Sequence, residues 1–261
     1  MSDLVKEYAS TMRVATYEVG AQCILRLSVL LRMCQDVSER NMALLGLGYE
    51  KLRADGIVFL LITNQVKIHR MPVHGETITM KTHPRGISGA QFYRDFIVYS
   101  GEEKIIEVLQ TSVIADGNTH KLLRPKKFLD YGIFSAEKVS EEGRITKLSV
   151  PDDLPLVGER PIRFSDLDYN THLNNAVYAD ILTDYLPGGA AGRQFAEVQI
   201  NYVTESRLGD TLQIYAAERD GRIWMKGVNE RGCGFTASAV MKPFPKEEMK
   251  KARIGIEISN S

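Results

Sequence analysis

Cysteine is scarce in this chain: three in 261 residues, Cys23, Cys34 and Cys233, with no C-x-x-C among them. An odd and scattered set excludes a disulfide framework and fits a reducing compartment. Charge of one sign is not in excess either. Lys plus Arg number 33 and Asp plus Glu number 33, so a general grip on nucleic acid, which rests on a basic surplus, is not expected. No apolar window approaches the ~18 residues of a membrane span. The first residues, MSDLVKEYASTMR, have neither the apolar core of a secretory signal nor the Arg-rich, acid-poor character of a transit peptide. The expectation is a soluble, cytoplasmic protein without a membrane span. His172 makes no metal-ligand spacing with His69, His74, His83 or His120, and there is no H-E-x-x-H, so no metal and no cofactor are indicated.

What is present is an ordinary globular composition, 44% hydrophobic and 25% charged, and an internal repeat. NQVKIHRMPVHGETITM and VQINYVTESRLGDTLQI superimpose without a gap at an offset of 134, Gln65 on Gln199 and Gly75 on Gly209. Each copy reads as strand, Gly turn, strand. A helix pattern precedes each. Residues 27–45 place Leu27, Leu30, Leu31, Cys34, Val37, Leu44 and Leu45 on one face, with Ser28 as a cap and Gly46 or Gly48 as the stop. Residues 173–186 place Val177, Ile181 and Leu182 on one face, with Asn174 or Asn175 as cap and Pro187-Gly188-Gly189 as the stop. Further strands follow in both halves. The first half carries extra residues after its helix, GLGYEKLRADGI. The fold class is therefore α+β, two tandem halves each with one long helix packed on an antiparallel sheet. The division is 1–125, a linker at 126–150, and 151–261.

The densest polar run, RFSDLDYNTHLNN, leads straight into the second helix. Asp168, Asn170 and His172 alternate, and an extended segment would aim all three at one face. A helix start supplies free N–H groups and a positive dipole end, suited to an oxygen on which negative charge develops. The same residues are also those of a plain turn and cap. Aligning the two helices sets Asp168, Asn170 and His172 opposite Gln22, Ile24 and Arg26, while Glu205 falls opposite Met71. One half is chemically equipped and the other is not.

RFSDLDYNTHLNNAVYADILTDYLP resembles the signature of the acyl-acyl-carrier-protein (acyl-ACP) thioesterases, and YVTESRLGD resembles their second motif. TYEVGAQCILRL, NQVKIHRMPVHGETITMKTH and QFYRDFIVYS are similar to the N-terminal half of the family, so the resemblance spans roughly residues 13–245. It implies a double hotdog fold, with the acyl chain held largely by residues 1–125 and catalysis in residues 151–261. It implies hydrolysis of a medium- or long-chain fatty acyl-ACP to free fatty acid and carrier, which ends elongation in fatty-acid biosynthesis. By motif position, Asp168, Asn170, His172 and Glu205 carry over as the catalytic set. Plant members have Cys after the Glu; this chain has Ser206, so a cysteine nucleophile is not available there.

The mechanism expected is direct attack of water, deprotonated by Glu205 or His172, with Asp168 orienting the His172 ring. Asn170 would bond water or thioester, and N–H groups at the second helix start would hold the oxyanion. Asn175, Ser206, Met33 and Phe59 are the candidate substrate-binding residues, with Met42 and Leu60 as further tunnel candidates. The partner is an acidic acyl carrier protein, for which Lys121, Arg124, Lys126, Lys127 and, in the tail, Lys246, Lys250, Lys251 and Arg253 offer complementary charge. A homodimer is the expected assembly by resemblance. The competing readings are an acyl-CoA thioesterase, a hotdog hydratase and a non-catalytic acyl-thioester binding protein.

Overall fold

Ten runs of alternating buried and exposed residues form the strands of the computed structural model, which describes residues 7–132, 139–140 and 143–244. In the first half these are β1 (Tyr8–Arg13), β2 (Ile57–Ile68), β3 (Thr77–Ser88), β4 (Gln91–Ser100) and β5 (Glu103–Asp116), with helices α1 (Leu27–Leu44) and α2 (Tyr49–Ala54). A short α3 (Lys126–Leu129) opens the linker. The second half has β6 (Leu156–Pro161), α4 (Val177–Asp184), β7 (Arg193–Tyr202), β8 (Thr211–Arg219), β9 (Arg222–Asn229) and β10 (Gly232–Pro243). The expected α+β class and tandem layout, a double hotdog, are what the chain adopts.

All ten strands join one antiparallel sheet, in the order β1-β3-β4-β5-β2-β7-β10-β9-β8-β6. The halves meet where β2 pairs with β7, and the pairing is centred on Gln65 opposite Gln199. These are the two residues that the repeat superimposes, so the join is a pseudo-two-fold axis, and the amide of Gln65 donates to Gln199 across it at 3.3 Å. The linker is pinned over this join: Gln199 donates to the Thr146 carbonyl and the Leu148 N–H donates to Asn201 Oδ1.

One continuous core lies between the helices and the inner face of the sheet. Leu30, Cys34 and Val37 of α1, Ile181 and Leu182 of α4, and Val66, Val198 and Ile200 of the central strands are all buried in it. Each such aliphatic side chain contributes about 1.5–3 kcal/mol. Gly46, with φ +74°, stops α1 as expected, because the left-handed turn there costs a glycine little. Two expectations for α1 fail. Ser28 does not cap: the cap position is Arg26, and Ser28 is buried with its hydroxyl unpartnered. Leu44 is exposed, and the inward position near the helix end is taken by the buried Asn41.

The halves differ in length at one place. Before the helices they superimpose at an offset of 148: Glu18 and Asp166 each accept the N–H three residues back, of Ala15 and Arg163, at 2.7 and 2.9 Å. After the helices the offset is 134. The first half thus holds 148 − 134 = 14 more residues, which lengthen α1 and build α2.

Candidate active site

The segment that carries Asp168, Asn170 and His172 is a tight loop rather than an extended strand. Leu167 and Leu173 pair across it, the Asp168 N–H donates to the His172 carbonyl at 2.8 Å, and Thr171 turns the chain with φ +64°. Asp168 accepts the N–H of Asn170 at 2.8 Å and of His172 at 3.3 Å. It shapes the loop; among the described residues no hydrogen bond joins its carboxylate to the His172 ring, contrary to the orienting role expected. Asn170 is exposed on the loop beside the Tyr169 phenol.

The first half builds the same loop, with Val19 paired to Leu25, the Gly20 N–H donating to Ile24 and Cys23 at φ +60°. The true counterparts of Asp168, Asn170 and His172 are therefore Gly20, Gln22 and Ile24, two residues before those expected for each. Helix periodicity tolerates such a slip; the left-handed residue at the loop does not. Ile24 and Met71, both buried, stand where the second half has His172 and Glu205.

The Leu173 N–H donates to the Ser206 carbonyl at 2.8 Å, and His172 bridges to Arg207. That pairing draws the loop onto the end of β7 and brings His172 Nε2 within 3.1 Å of Glu205 Oε2. Arg207 stands 3.9 Å from the same oxygen and the Arg231 guanidinium donates to the Glu205 carbonyl at 3.4 Å. Two of the N–H groups at the helix start are used: Asn174 takes those of Ala176 and Val177, each at 2.9 Å. Asn175 lines the cavity, and its backbone carbonyl accepts the Tyr202 hydroxyl at 3.1 Å.

Glu205, His172 and Asn175 open onto a cavity of about 600 Å³; Asp168, Tyr169, Asn170, Asn174 and Ala176 complete this end, and most of the remaining wall comes from the first half. On α1 the lining positions are Leu31, Gln35, Ser38, Glu39 and Met42, one helical stripe. Phe59 lines it as expected, edge-on to Phe92 and Phe128 at 5.6 and 5.0 Å, and Leu60 lines it too. The fourteen-residue surplus is what leaves this room. Tyr49 of α2 packs edge-on against Tyr169 of the Asp168–His172 loop at 5.0 Å, closing one side. Two candidate binding residues are misplaced. Met33 lies on the core stripe of α1, buried away from the cavity. Ser206 is fully buried, its hydroxyl 3.5 Å from that of Tyr178, and cannot reach a substrate as ligand or nucleophile. Burial raises the Tyr178 phenol above its ordinary range, so it stays protonated. A second hollow, about 690 Å³, lies elsewhere on the sheet among charged pairs such as Arg85–Asp95 and touches none of these residues.

Lys121, Arg124, Lys126 and Lys127 are all exposed, but Lys126 is already paired with Asp130 at 2.5 Å. Lys246, Lys250, Lys251 and Arg253 lie outside the described residues. Among the described residues no group of His, Cys, Asp and Glu is arranged to hold a metal ion, and no helix is long and apolar enough to cross a membrane. Both halves of one chain complete the site, so a homodimer is not needed to form it.

Sequence reasoning missed Arg94, Gln110 and Asn64 on the cavity wall. A signal for the first was present: in QFYRDFIVYS, Arg94 alternates with Phe92, Phe96 and Val98, a charge on the inward face.

The comparisons with known proteins bear on the family and the fold. Residues 5–128 match the family model of the acyl-ACP thioesterase N-terminal domain and residues 153–254 that of the C-terminal domain. An acyl-[acyl-carrier-protein] hydrolase, chloroplastic, from Cuphea viscosissima is 23% identical over 225 residues, covering 80% of this chain and 54% of that protein. The chain thus spans about half the length of that curated relative. An acyl-ACP thioesterase from Bacteroides thetaiotaomicron superimposes with a TM-score of 0.80 at 19% identity, over 93% of this chain and 100% of that one. The 12:0-ACP thioesterase from Umbellularia californica gives 0.80 at 18%, over 94% and 99%.

Proposed function

Because the chain belongs to the acyl-ACP thioesterase family, we propose that it hydrolyses fatty acyl-ACP, with the acyl chain in the first-half cavity and the chemistry at His172 and Glu205. The observation that carries this reading is the placement of the His172–Glu205 pair at a cavity built by the other half. Glu205 Oε2 lies 3.1 Å from His172 Nε2, and the Glu205 carboxylate takes a proton from water. The water oxygen attacks the thioester carbonyl carbon, and the carbonyl oxygen becomes an oxyanion. The Asn175 amide, at the cavity wall, is the donor we assign to it. The intermediate collapses with cleavage of the C–S bond, and the proton on Glu205 returns to the leaving thiolate. The products are a fatty acid and the carrier's free thiol. Asp168 acts as a positioning residue through the loop, and Asn170 borders the same space.

Carrier docking would draw on Lys121, Arg124 and Lys127, whose charge complements an acidic protein. The test is thiol release from matched acyl-ACP and acyl-CoA series, medium to long chain, with His172→Ala alongside. Release favouring acyl-ACP and lost in the variant is expected. Preference for CoA would reassign the substrate to acyl-CoA, and no release from any substrate would put the acyl-binding reading in its place.

A further inference from the structure

The cavity that would hold an alkyl chain is not alkyl-like throughout. A row of three polar side chains crosses its wall on adjacent strands, Asn64 on β2, Gln110 on β5 and Arg94 on β4, in direct register. Rows on either side are apolar or small: Val66–Val108–Phe96 and Leu61–Ser112–Phe92. Arg94 Nη1 donates to Asn41 Oδ1 at 2.9 Å and to Thr82 Oγ1 at 3.2 Å, and among the described residues Nη2 meets only the Met42 sulfur at 3.6 Å. Among the described residues no carboxylate reaches it. A guanidinium has five N–H donors, so its Nε–H and one Nη2–H remain for whatever fills the cavity. Burial pushes its pKa down to about 10, which still leaves it charged near neutrality. Asn64 donates to the Tyr202 hydroxyl at 2.9 Å and Tyr202 to the Asn175 carbonyl, so the Asn64 end of the row adjoins the catalytic loop. Arg94 lies two strands further on, about 10 Å at ~4.8 Å per strand.

A plain hydrocarbon chain passing Arg94 would strip water from an uncompensated charge and return nothing, a cost of several-fold to many-fold in binding. An oxygen on the chain would accept the free N–H groups instead. We propose that Arg94 is a specificity residue and that the preferred substrates are acyl thioesters whose chain carries a hydrogen-bond-accepting oxygen, a hydroxyl or oxo group, away from the thioester. This rests on the thioesterase reading for its reaction, but not for its binding.

The experiment uses acyl-ACP substrates of one chain length, plain and with a hydroxyl walked along the carbons, on wild type, Arg94→Met and Arg94→Gln. The same acids, unesterified, are titrated calorimetrically into each protein, so that binding is read without turnover. For wild type, at least one hydroxyl position is expected to exceed the plain chain by about ten- to hundredfold in kcat/KM and in affinity, as for a hydrogen bond to a charged group. In both variants that advantage is lost and the plain chain gains. Equal handling of all positions by wild type, which requires no variant to fold, overturns the proposal, as does an advantage that survives in either folded variant. Absence of thiol release with the binding preference intact would sink the thioesterase reading and leave this subsite standing.

Discussion

Beneath α4 the packing leaves no room at Gly227. A Cβ placed there would lie 2.3 Å from Cε1 and 2.8 Å from Cδ1 of Phe235, whereas ordinary contact begins at 3.4 Å. The ring would have to move by about 3.4 − 2.3 = 1.1 Å. It has nowhere to go: Phe235 is fully buried and edge-on to Tyr178 at 5.1 Å, and Tyr178 in turn meets Tyr202 at 5.3 Å. Overpacking of this kind costs about 1–3 kcal/mol. For a chain of this size that lowers Tm by about 2–12 °C, at ~2–4 °C per kcal/mol. Gly227→Ala, Phe235→Leu and the double variant should be compared by urea denaturation. The double variant is expected to be more stable than the sum of the singles by about 1 kcal/mol or more, since the smaller side chain removes the clash. Strict additivity, or a Gly227→Ala protein as stable as wild type, would refute the packing argument.

Three further outcomes are expected. Glu205→Gln and His172→Ala should each lower kcat by about 10²–10⁴, and the double variant should lose little more than the worse single, because the two act as one unit; a steady-state cycle checks this, and full additivity would contradict it. Charge reversal at Lys121, Arg124 and Lys127 should raise KM for acyl-ACP with kcat retained and with no change toward acyl-CoA, an effect that shrinks in salt; an unchanged KM removes these residues from docking. Glu76 is half-desolvated, but the Arg70 guanidinium, the Ser100 hydroxyl and the Val73 N–H hold its carboxyl below the ordinary 4.5. Its contribution to stability is therefore full above that value and lost as pH falls through the lower folded one, so Glu76→Gln should flatten the acid limb of stability against pH.

Much of this was legible in the residues. The repeat and the alternation marked the strands on either side of each Gly turn, and the Gln65–Gln199 superposition turned out to be the axis itself. Glu205 and His172 were legible as types, but their meeting was not, since it depends on the Leu173–Ser206 backbone bond. Asp168 misled because alternation implies a strand, and a left-handed Thr171 bends the segment into a loop instead. Met33 and Met42 look alike in the helix pattern; only the cavity, opened by the fourteen-residue surplus, separates the stripe facing it from the stripe facing the core.

The account's central claim is a division of labour between the halves, and a chain-length profile tests it directly. kcat/KM would be measured over an acyl-ACP series for wild type, Glu205→Gln and Ser112→Phe, the last filling the cavity wall between Leu61 and Phe92. Glu205→Gln is predicted to lower every chain by the same factor, and Ser112→Phe to shift the optimum to shorter chains while sparing the shortest. A profile that moves with Glu205→Gln, or stays unmoved with Ser112→Phe, would contradict the account.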